Sequence, residues 1–582
     1  RKKMAFNEDT RVKIPAILTL TRLGYGYLSL KDRTDIDPQT NIFKDIFFDS
    51  LRKLNPNTEE DELQKVFSKI QTMLDNDDLG KEFYKLLTTS SGVKLIDWEH
   101  IGRNTLNVCT ELTCGDKDDD NFRPDVTLLI NGMPLVFIEV KKPNNCEGVI
   151  AERDRINIRF QNRKFRRFIN ISQILMFSNN MEYEDDDIDP IQGAFYATAS
   201  KSKAFFNQFK EEPNNRARLF GLLKDENEQV ENNVLRDTNY AVMKSSKEFE
   251  TNKRPDTPTN RAIISIFAPE RIFDLIRYGL AYVDYQDEDG KYILQKHIMR
   301  YPQFFASKAI QSTLDKGVKR GIIWHTQGSG KTALAYFNVR WLTDYFAKKN
   351  IIPKFYFIVD RIDLRNQATS EFTIRGLKVN SIENKDDFIK DLKRSSALRG
   401  NTGEREITVL NIHKFSEDAR ATNKKDYDIN TQRIYFIDEA HRSYSPTGSF
   451  LANLIQSDPN AIIISLTGTP LLAKGETRIA SKEIFGDYIH KYYYNQSIQD
   501  GYTLRLIREE IESKYKLRLR EIFEKAEIRE GDARKKEVLA YESFCTPLLE
   551  YIISDLRRSR VQNNNDTIGG MVVCDSSEQA EM

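Results

Sequence analysis

Residues 321–332, Gly321-Ile322-Ile323-Trp324-His325-Thr326-Gln327-Gly328-Ser329-Gly330-Lys331-Thr332, restrict the fold more than any other stretch. A short apolar run, Ile322 to Trp324, enters a glycine-rich turn, and helix-forming residues continue from Ala333 to Phe346. The order predicted is strand, loop, helix. Gly328 and Gly330 allow a tight turn around Ser329 whose backbone N–H groups face inward, and the helix N-terminus adds partial positive charge. Such a cradle suits phosphate oxygens, with Lys331 reaching the β- and γ-phosphates and the Thr332 hydroxyl reaching Mg²⁺. The usual G-x-x-x-x-G-K-[ST] pattern has glycine where this chain has His325.

More strands with polar ends follow. Phe355–Val359 runs into Asp360, Ile407–Leu410 into Asn411, Arg433–Ile437 into Asp438-Glu439-Ala440-His441, and Ala461–Ser465 into Leu466-Thr467-Gly468-Thr469-Pro470. Apolar strands that repeatedly end in polar groups describe a parallel sheet with its site along one edge. Asp438 is placed to hold the Mg²⁺ of ATP and Glu439 to polarise an attacking water. The plainer reading of that pair is a helix N-cap.

Nearer the start, Arg123-Pro124-Asp125 opens one apolar strand, and Met133 to Ile138 leads into Glu139-Val140-Lys141. Asn131-Gly132 between them is a hairpin signal. Glu139 and Lys141, two apart, share a face. A plain two-residue loop would pair Asp125 with Ile138 and put the two carboxylates on opposite faces. Pro134 cannot donate to a ladder, so a three-residue loop or a bulge is predicted, bringing Asp125 beside Glu139. Two such carboxylates suit Mg²⁺, which activates a water and stabilises charge on a phosphodiester, with Lys141 orienting the water. The competing reading is a salt-bridged edge strand. A basic run then follows, Arg153, Arg155, Arg159, Arg163, Lys164, Arg166 and Arg167, suited to DNA phosphates or to a solvated helix face.

Elsewhere, residues 11–23 have helical spacing with Gly24 as the stop, and 245–260 are polar with two prolines, the predicted linker. With 39% hydrophobic residues, 34 Phe and 25 Tyr the chain can build cores, which excludes a disordered protein. Net charge is +1, so a polyanionic partner must be argued locally. Five cysteines without a C-x-x-C pair argue against a zinc site and for a reducing, cytoplasmic setting. No apolar run spans a bilayer, so no membrane partner is expected.

Pro124-Asp125 and Glu139-x-Lys141 resemble the PD-(D/E)xK nucleases. The resemblance implies a further acid on a preceding helix, for which Glu8 is the candidate, and in some members a Q-x-x-x-Y motif, which Gln161-x-x-x-Phe165 matches incompletely. Gly-Ser-Gly-Lys-Thr, Asp-Glu-Ala-His and Ser465-x-Thr467-Gly468-Thr469-Pro470, in that order, resemble the superfamily 2 helicase motor over about 300–475. That likeness implies that Tyr301 and Gln303 clamp and read adenine, and that His441, Thr467 and Thr469 couple nucleotide to DNA. The expected architecture is α/β and multidomain: a PD-(D/E)xK endonuclease domain over 1–250, a first RecA-like parallel-sheet ATPase domain over 251–480, and connecting helices with the start of a second RecA-like domain over 481–582. Gly569 to Ala580 resemble that domain's first strand. With the second domain's arginines outside the chain, ATP is expected to bind but to be hydrolysed poorly. Together the parts resemble the R (restriction and translocation) subunit of type I restriction–modification enzymes. That resemblance implies ATP and Mg²⁺ as cofactors, double-stranded DNA as substrate, and methyltransferase and specificity subunits as partners. A repair helicase–nuclease and a DNA-binding scaffold with inactive sites are the alternatives.

Overall fold

The computed structural model describes residues 7–411 apart from 32, 90, 115–120, 144–147, 183–192, 202–203, 287–289, 383–386, 389 and 392–404, and beyond these 430–439, 454, 458–470, 481–503, 517, 520–521, 539, 542–562 and 567–582. Arg1–Leu504 form one compact unit and Arg505–Met582 another.

In the first unit, helix α1 (Ile14–Leu23) lies where the 11–23 pattern predicts. Pro15 sits in its first turn and Gly24, at φ +110°, ends it. Residues Asp9–Lys13 wind more widely, as one π-type turn. The first sheet has seven strands in chain order: β1 (Gly26–Tyr27), β2 (Leu106–Thr110), β3 (Val126–Ile130), β4 (Met133–Val140), β5 (Ile174–Ser178), β6 (Ala194–Ala197) and β7 (Asn207–Gln208). β3, β4 and β5 are buried at every residue, which is why they read as nearly unbroken apolar runs. Helix α2 (Gly148–Gln161) crosses over between the parallel pair β4 and β5.

The β3–β4 hairpin turns on two residues, Asn131 at φ +51° and Gly132 at φ +76°. A side chain at position 132 would come within 2.7 Å of the Phe43 carbonyl oxygen and 2.8 Å of the Phe47 nitrogen. The register then slips by one: Leu129 faces Pro134, but Leu128 faces Val136, and Val126 faces Ile138. Of the two devices predicted, the bulge is the one used.

The second sheet is wholly parallel, in the order β12-β13-β11-β14-β15-β10-β16. Its strands are β10 (Arg320–His325), β11 (Ile352–Val359), β12 (Lys378–Ile382), β13 (Glu406–Asn411), β14 (Thr431–Asp438), β15 (Ile462–Thr467) and β16 (Tyr488–Tyr492). Helix α3 (Tyr301–Asp315) precedes it and helix α4 (Lys331–Ala347) follows β10. A separate hairpin, β8 (Leu280–Gln286) and β9 (Tyr292–Ile298), lies before α3.

The polar stretch expected as a linker is folded. It forms the helix Lys247–Asn252 and starts the helix Pro258–Phe267, and Thr259 and Asn260 are both 1% exposed. Its short polar side chains bond neighbouring groups instead of water: Asn260 Nδ2 donates to the Asn252 carbonyl at 3.0 Å, and the Thr259 and Ser178 hydroxyls bond at 2.8 Å. The first sheet is also tied to the β8–β9 hairpin and the residues just after it. Tyr196 donates to the Met299 carbonyl at 2.6 Å, and Lys296 donates to the Ser172 carbonyl at 3.2 Å and to Gln173 Oε1 at 3.0 Å.

In the second unit, helices span Glu542–Gln562 and Ser577–Glu581. Residues 569–580, expected to carry the first strand of a second RecA-like domain, hold none: 569–574 have no regular structure, with Met571 and Val573 exposed, and Ser577–Glu581 is helical. A strand is stabilised by its ladder, and none of the described residues pairs with this segment.

Burial pushes the Lys296 ammonium down to about 7 from 10.5. The folded chain loses that proton near pH 7 while the unfolded chain keeps it to about 10.5, so stability rises with pH across that window. Replacing it by Lys296→Met removes this dependence. Denaturant unfolding is expected to show wild type gaining on the variant by about 2–3 kcal/mol between pH 7 and 9.

Candidate functional site

Because Val126 faces Ile138, the next pair outward, Asp125 and Glu139, falls on one face of the sheet. Asp125 Oδ2 accepts the Val140 N–H at 2.9 Å. Glu139 is 6% exposed. Its burial and the neighbouring Asp125 hold its carboxyl well above the usual range, against the pull of Lys141, and its Oε1 is buried without a hydrogen-bond partner. Glu8, just ahead of the first turn, reaches the same place; burial raises its carboxyl, opposed by Lys141. Lys141 Nζ is 3.5 Å from Glu8 and 3.5 Å from Glu152, and donates to the Val140 carbonyl at 3.0 Å. Burial alone would lower the Lys141 ammonium, but the surrounding acids, Asp125 first, raise it.

Glu152, in α2, was missed from the sequence. It is 3% exposed and also holds Arg155 at 2.6 Å. The signal was there: Val149, Glu152, Ile156 and Phe160 recur at helical spacing and are the buried residues of α2, so an acid stands in an apolar stripe. Gln161 is exposed and Phe165 lies in the core, so this pair does not supply the Q-x-x-x-Y role.

The basic run divides among several tasks. Arg155 serves Glu152, Arg159 stacks on Phe122 at 4.0 Å, Arg166 donates to the Asp75 carbonyl at 3.0 Å and Arg167 approaches the Asp75 carboxylate at 3.7 Å. Arg163 and Lys164 are exposed on a short 3-10 turn.

At the second sheet, β15 with Thr467 at its end lies beside β10, which feeds the loop into α4, and β14 with Asp438 at its end lies next beyond. Gly328 and Gly330 have φ of +80° and +83°, a conformation open to glycine. Ser329 turns inward and donates to the Thr326 carbonyl at 2.6 Å. Gln303 Nε2 donates to the Gly330 carbonyl at 3.0 Å while its Oε1 accepts the Arg300 N–H at 2.9 Å, so this amide holds the loop. Burial raises the Asp438 carboxyl to about 6, with Lys331 opposing and Glu439 adding to the rise. Glu439 has φ +48°, a strained value for a residue with a side chain, and its N–H bonds Asp438 Oδ1 at 3.0 Å. The Thr469 N–H donates to Thr467 Oγ1 at 3.1 Å, and Trp324 Nε1 donates to the Gly468 carbonyl at 3.1 Å, which seats this turn against the loop. His441 lies outside the described residues.

A cavity of about 780 Å³ opens here, lined by Gly328, Gly330, Lys331, Thr332, Asp438 and Glu439, and also by Arg300, Gln303 and Tyr502. Tyr301 does not line it. Its ring packs against Phe209, Phe305 and Tyr492, and its hydroxyl donates to buried Asp500 at 2.5 Å, because the first turn of α3 faces the core. The aromatics on the cavity wall are Phe205, Phe206, Phe337 and Tyr502, the last with the Arg300 guanidinium 3.9 Å from its ring centre. Nothing near Tyr502 in sequence marked it, since it arrives from beyond β16.

Paired carboxyls on one sheet and a phosphate-type loop on a parallel second sheet define a nuclease-like part joined to a RecA-like ATPase part. Family comparisons agree: the type I restriction enzyme R protein N terminus matches residues 5–184, and the SWI2/SNF2 ATPase family matches 302–538. Among curated relatives, the Haemophilus influenzae type I restriction enzyme HindI endonuclease subunit is 26% identical over 504 residues, covering 80% of this chain and 42% of its own. A Methanocaldococcus jannaschii protein provisionally named the type I restriction enzyme MjaIXP endonuclease subunit is 25% identical over 612 residues, covering 95% of this chain and 52% of its own. The chain is similar to the endonuclease subunits of type I restriction enzymes and spans about half the length of these relatives.

A buried carboxyl beside a second one favours the neutral form. Glu139→Gln keeps the shape without the charge, and is expected to raise the melting temperature of the chain at pH 8 in chelator by several degrees, read by calorimetry.

Proposed function

We propose that this chain is the motor and cutting subunit of a type I restriction–modification enzyme, coupling ATP hydrolysis to movement of double-stranded DNA and to its cleavage. The observation that carries the reading is the occurrence, within one compact unit, of the Asp125–Glu139–Lys141 cluster and the Lys331 loop.

Among the described residues no cluster of three or more acidic, histidine or cysteine side chains is preassembled around a metal position. Mg²⁺ asks for less, being held by one or two carboxylates with the rest of its shell from water or substrate. The unpartnered buried Glu139 Oε1 next to Asp125 suits that role, and Glu8 stands close by. When bound, the cation would supply an activated water and charge stabilisation at a phosphodiester. Lys141, held by Glu8 and Glu152, points its charge at the same place. At the motor, Thr332 and Asp438 would hold the cation that accompanies ATP, Lys331 would take its phosphates, and Glu439 would orient water. Thr467 and Thr469 would link this site to the DNA track, a role in which His441 is also proposed. Arg163 and Lys164 would contact DNA phosphates; Arg166 and Arg167, already tied to Asp75, contribute less.

The domain limits proposed remain 1–250, 251–480 and 481–582, as successive functional parts. Methyltransferase and specificity subunits would supply sequence recognition.

The test is ATP-dependent cleavage of circular DNA by the complete enzyme, with and without candidate methyltransferase and specificity subunits. Asp125→Ala or Glu139→Ala is expected to lower cleavage at least 100-fold while DNA-stimulated ATPase persists, and Lys331→Ala to abolish both (on the order of the effects expected for groups acting at the reacting atoms). Cleavage unchanged by Asp125→Ala would overturn the nuclease assignment.

A further inference from the structure

We propose that Glu212, His490 and His325 form a hydrogen-bonded relay through which the N-terminal half positions the phosphate loop, with His490 as the positioning residue. The proposal rests on the reading of that loop as an ATP site.

Three segments remote in sequence meet here. His325 ends β10 and begins the loop, where the common pattern has glycine; its ring is fully buried. His490 lies in the neighbouring strand β16, and Glu212 comes from the segment just after β7. His325 Nε2 and His490 Nδ1 are 2.7 Å apart, and His490 Nε2 and Glu212 Oε1 are 2.9 Å apart. β16 also holds the loop through its backbone, the Thr326 N–H donating to the Tyr492 carbonyl at 3.1 Å. The His325 carbonyl in turn accepts from Lys331 Nζ at 3.5 Å.

The proton positions follow from donor and acceptor rules. An ionised carboxylate only accepts, so His490 Nε2 carries a hydrogen and donates to Glu212. In neutral His490 the other nitrogen, Nδ1, is then an acceptor, and His325 Nε2–H must be the donor. That leaves His325 Nδ1 a bare lone pair, and this atom is buried with no hydrogen-bond partner.

His325 itself stays neutral throughout, because burial, His490 and Lys331 all oppose a charge there. The Glu212 side chain is 41% exposed, so the relay runs from solvent to the root of the loop. The charged groups around the two rings are Lys331 from α4, Glu212 from the N-terminal half, and, beyond the Tyr492 ring, Asp500 with its partner Lys210.

The experiment measures binding of a fluorescent ATP analogue with Mg²⁺ to this chain at pH 8, alongside KM and kcat of the assembled enzyme. Glu212→Ala weakens binding by roughly three- to tenfold, the worth of one hydrogen bond, in KM and not kcat. Glu212→Gln, whose amide oxygen still accepts, recovers most of that affinity, and His490→Gln weakens binding as Glu212→Ala does. Wild-type affinity in both Glu212→Ala and His490→Gln overturns the relay. An equal loss in Glu212→Gln and Glu212→Ala also overturns it, since that is packing alone. If His490→Gln fails to fold by circular dichroism, the two half-exposed Glu212 variants carry the test. Failure of wild type to bind the analogue, or binding by Lys331→Ala equal to wild type, instead sinks the ATP reading itself.

Discussion

One extra residue in β4 decides what the N-terminal half can do. The hairpin turn alone would set Asp125 opposite Ile138 and split the two acids between faces of the sheet. The slip between Leu128 and Leu129 restores the register, so both acids enter one space with Lys141. Glu139 is held there almost wholly out of water, beside the half-buried Asp125. The two carboxyls repel each other, and the cost is met only partly by Lys141 and by the Val140 N–H. The divalent cation proposed for this site would answer both the charge and the unpartnered Glu139 oxygen.

The parallel sheet reaches its site by a different route. Every strand runs the same way, so its carboxyl ends gather along one edge, and the loops leaving β10, β14 and β15 meet there without any special register. Local bonds then fix the phosphate loop. Gln303 holds Gly330, Arg300 Nη1 donates to the Gly328 carbonyl at 3.1 Å, and Thr503 Oγ1 donates to the Gln327 carbonyl at 3.1 Å. Residues from before and after the sheet thus pin one short turn.

What could be read from the sequence was what local pattern controls. The Asn131-Gly132 turn, the bulge required by Asp125 and Glu139, the glycines of the loop and the alternation of strand and helix all express rules within a few residues of each other. What escaped depends on distant partners. Tyr301 precedes the loop as an adenine clamp would, yet Asp500, almost two hundred residues on, takes its hydroxyl. Glu152 needed the packing of α2 against β5 to place it near Lys141. Residues 245–260 have a linker's composition, yet Asn260 bonds the Asn252 and Arg254 carbonyls at the end of the preceding helix and Thr259 bonds Ser178.

Helix α4 joins these themes through Arg340. Lys331 opens the helix, and nine residues later the buried Arg340 guanidinium donates to the Tyr84 hydroxyl at 2.8 Å and the Arg277 carbonyl at 2.7 Å. At 1.5 Å per residue, that key sits about 13 Å along the shaft from the loop. A helix gripped at its middle passes an axial displacement on to the grip. A slide of the loop along that axis would therefore pull on Tyr84, and through it on the helix Lys81–Thr88.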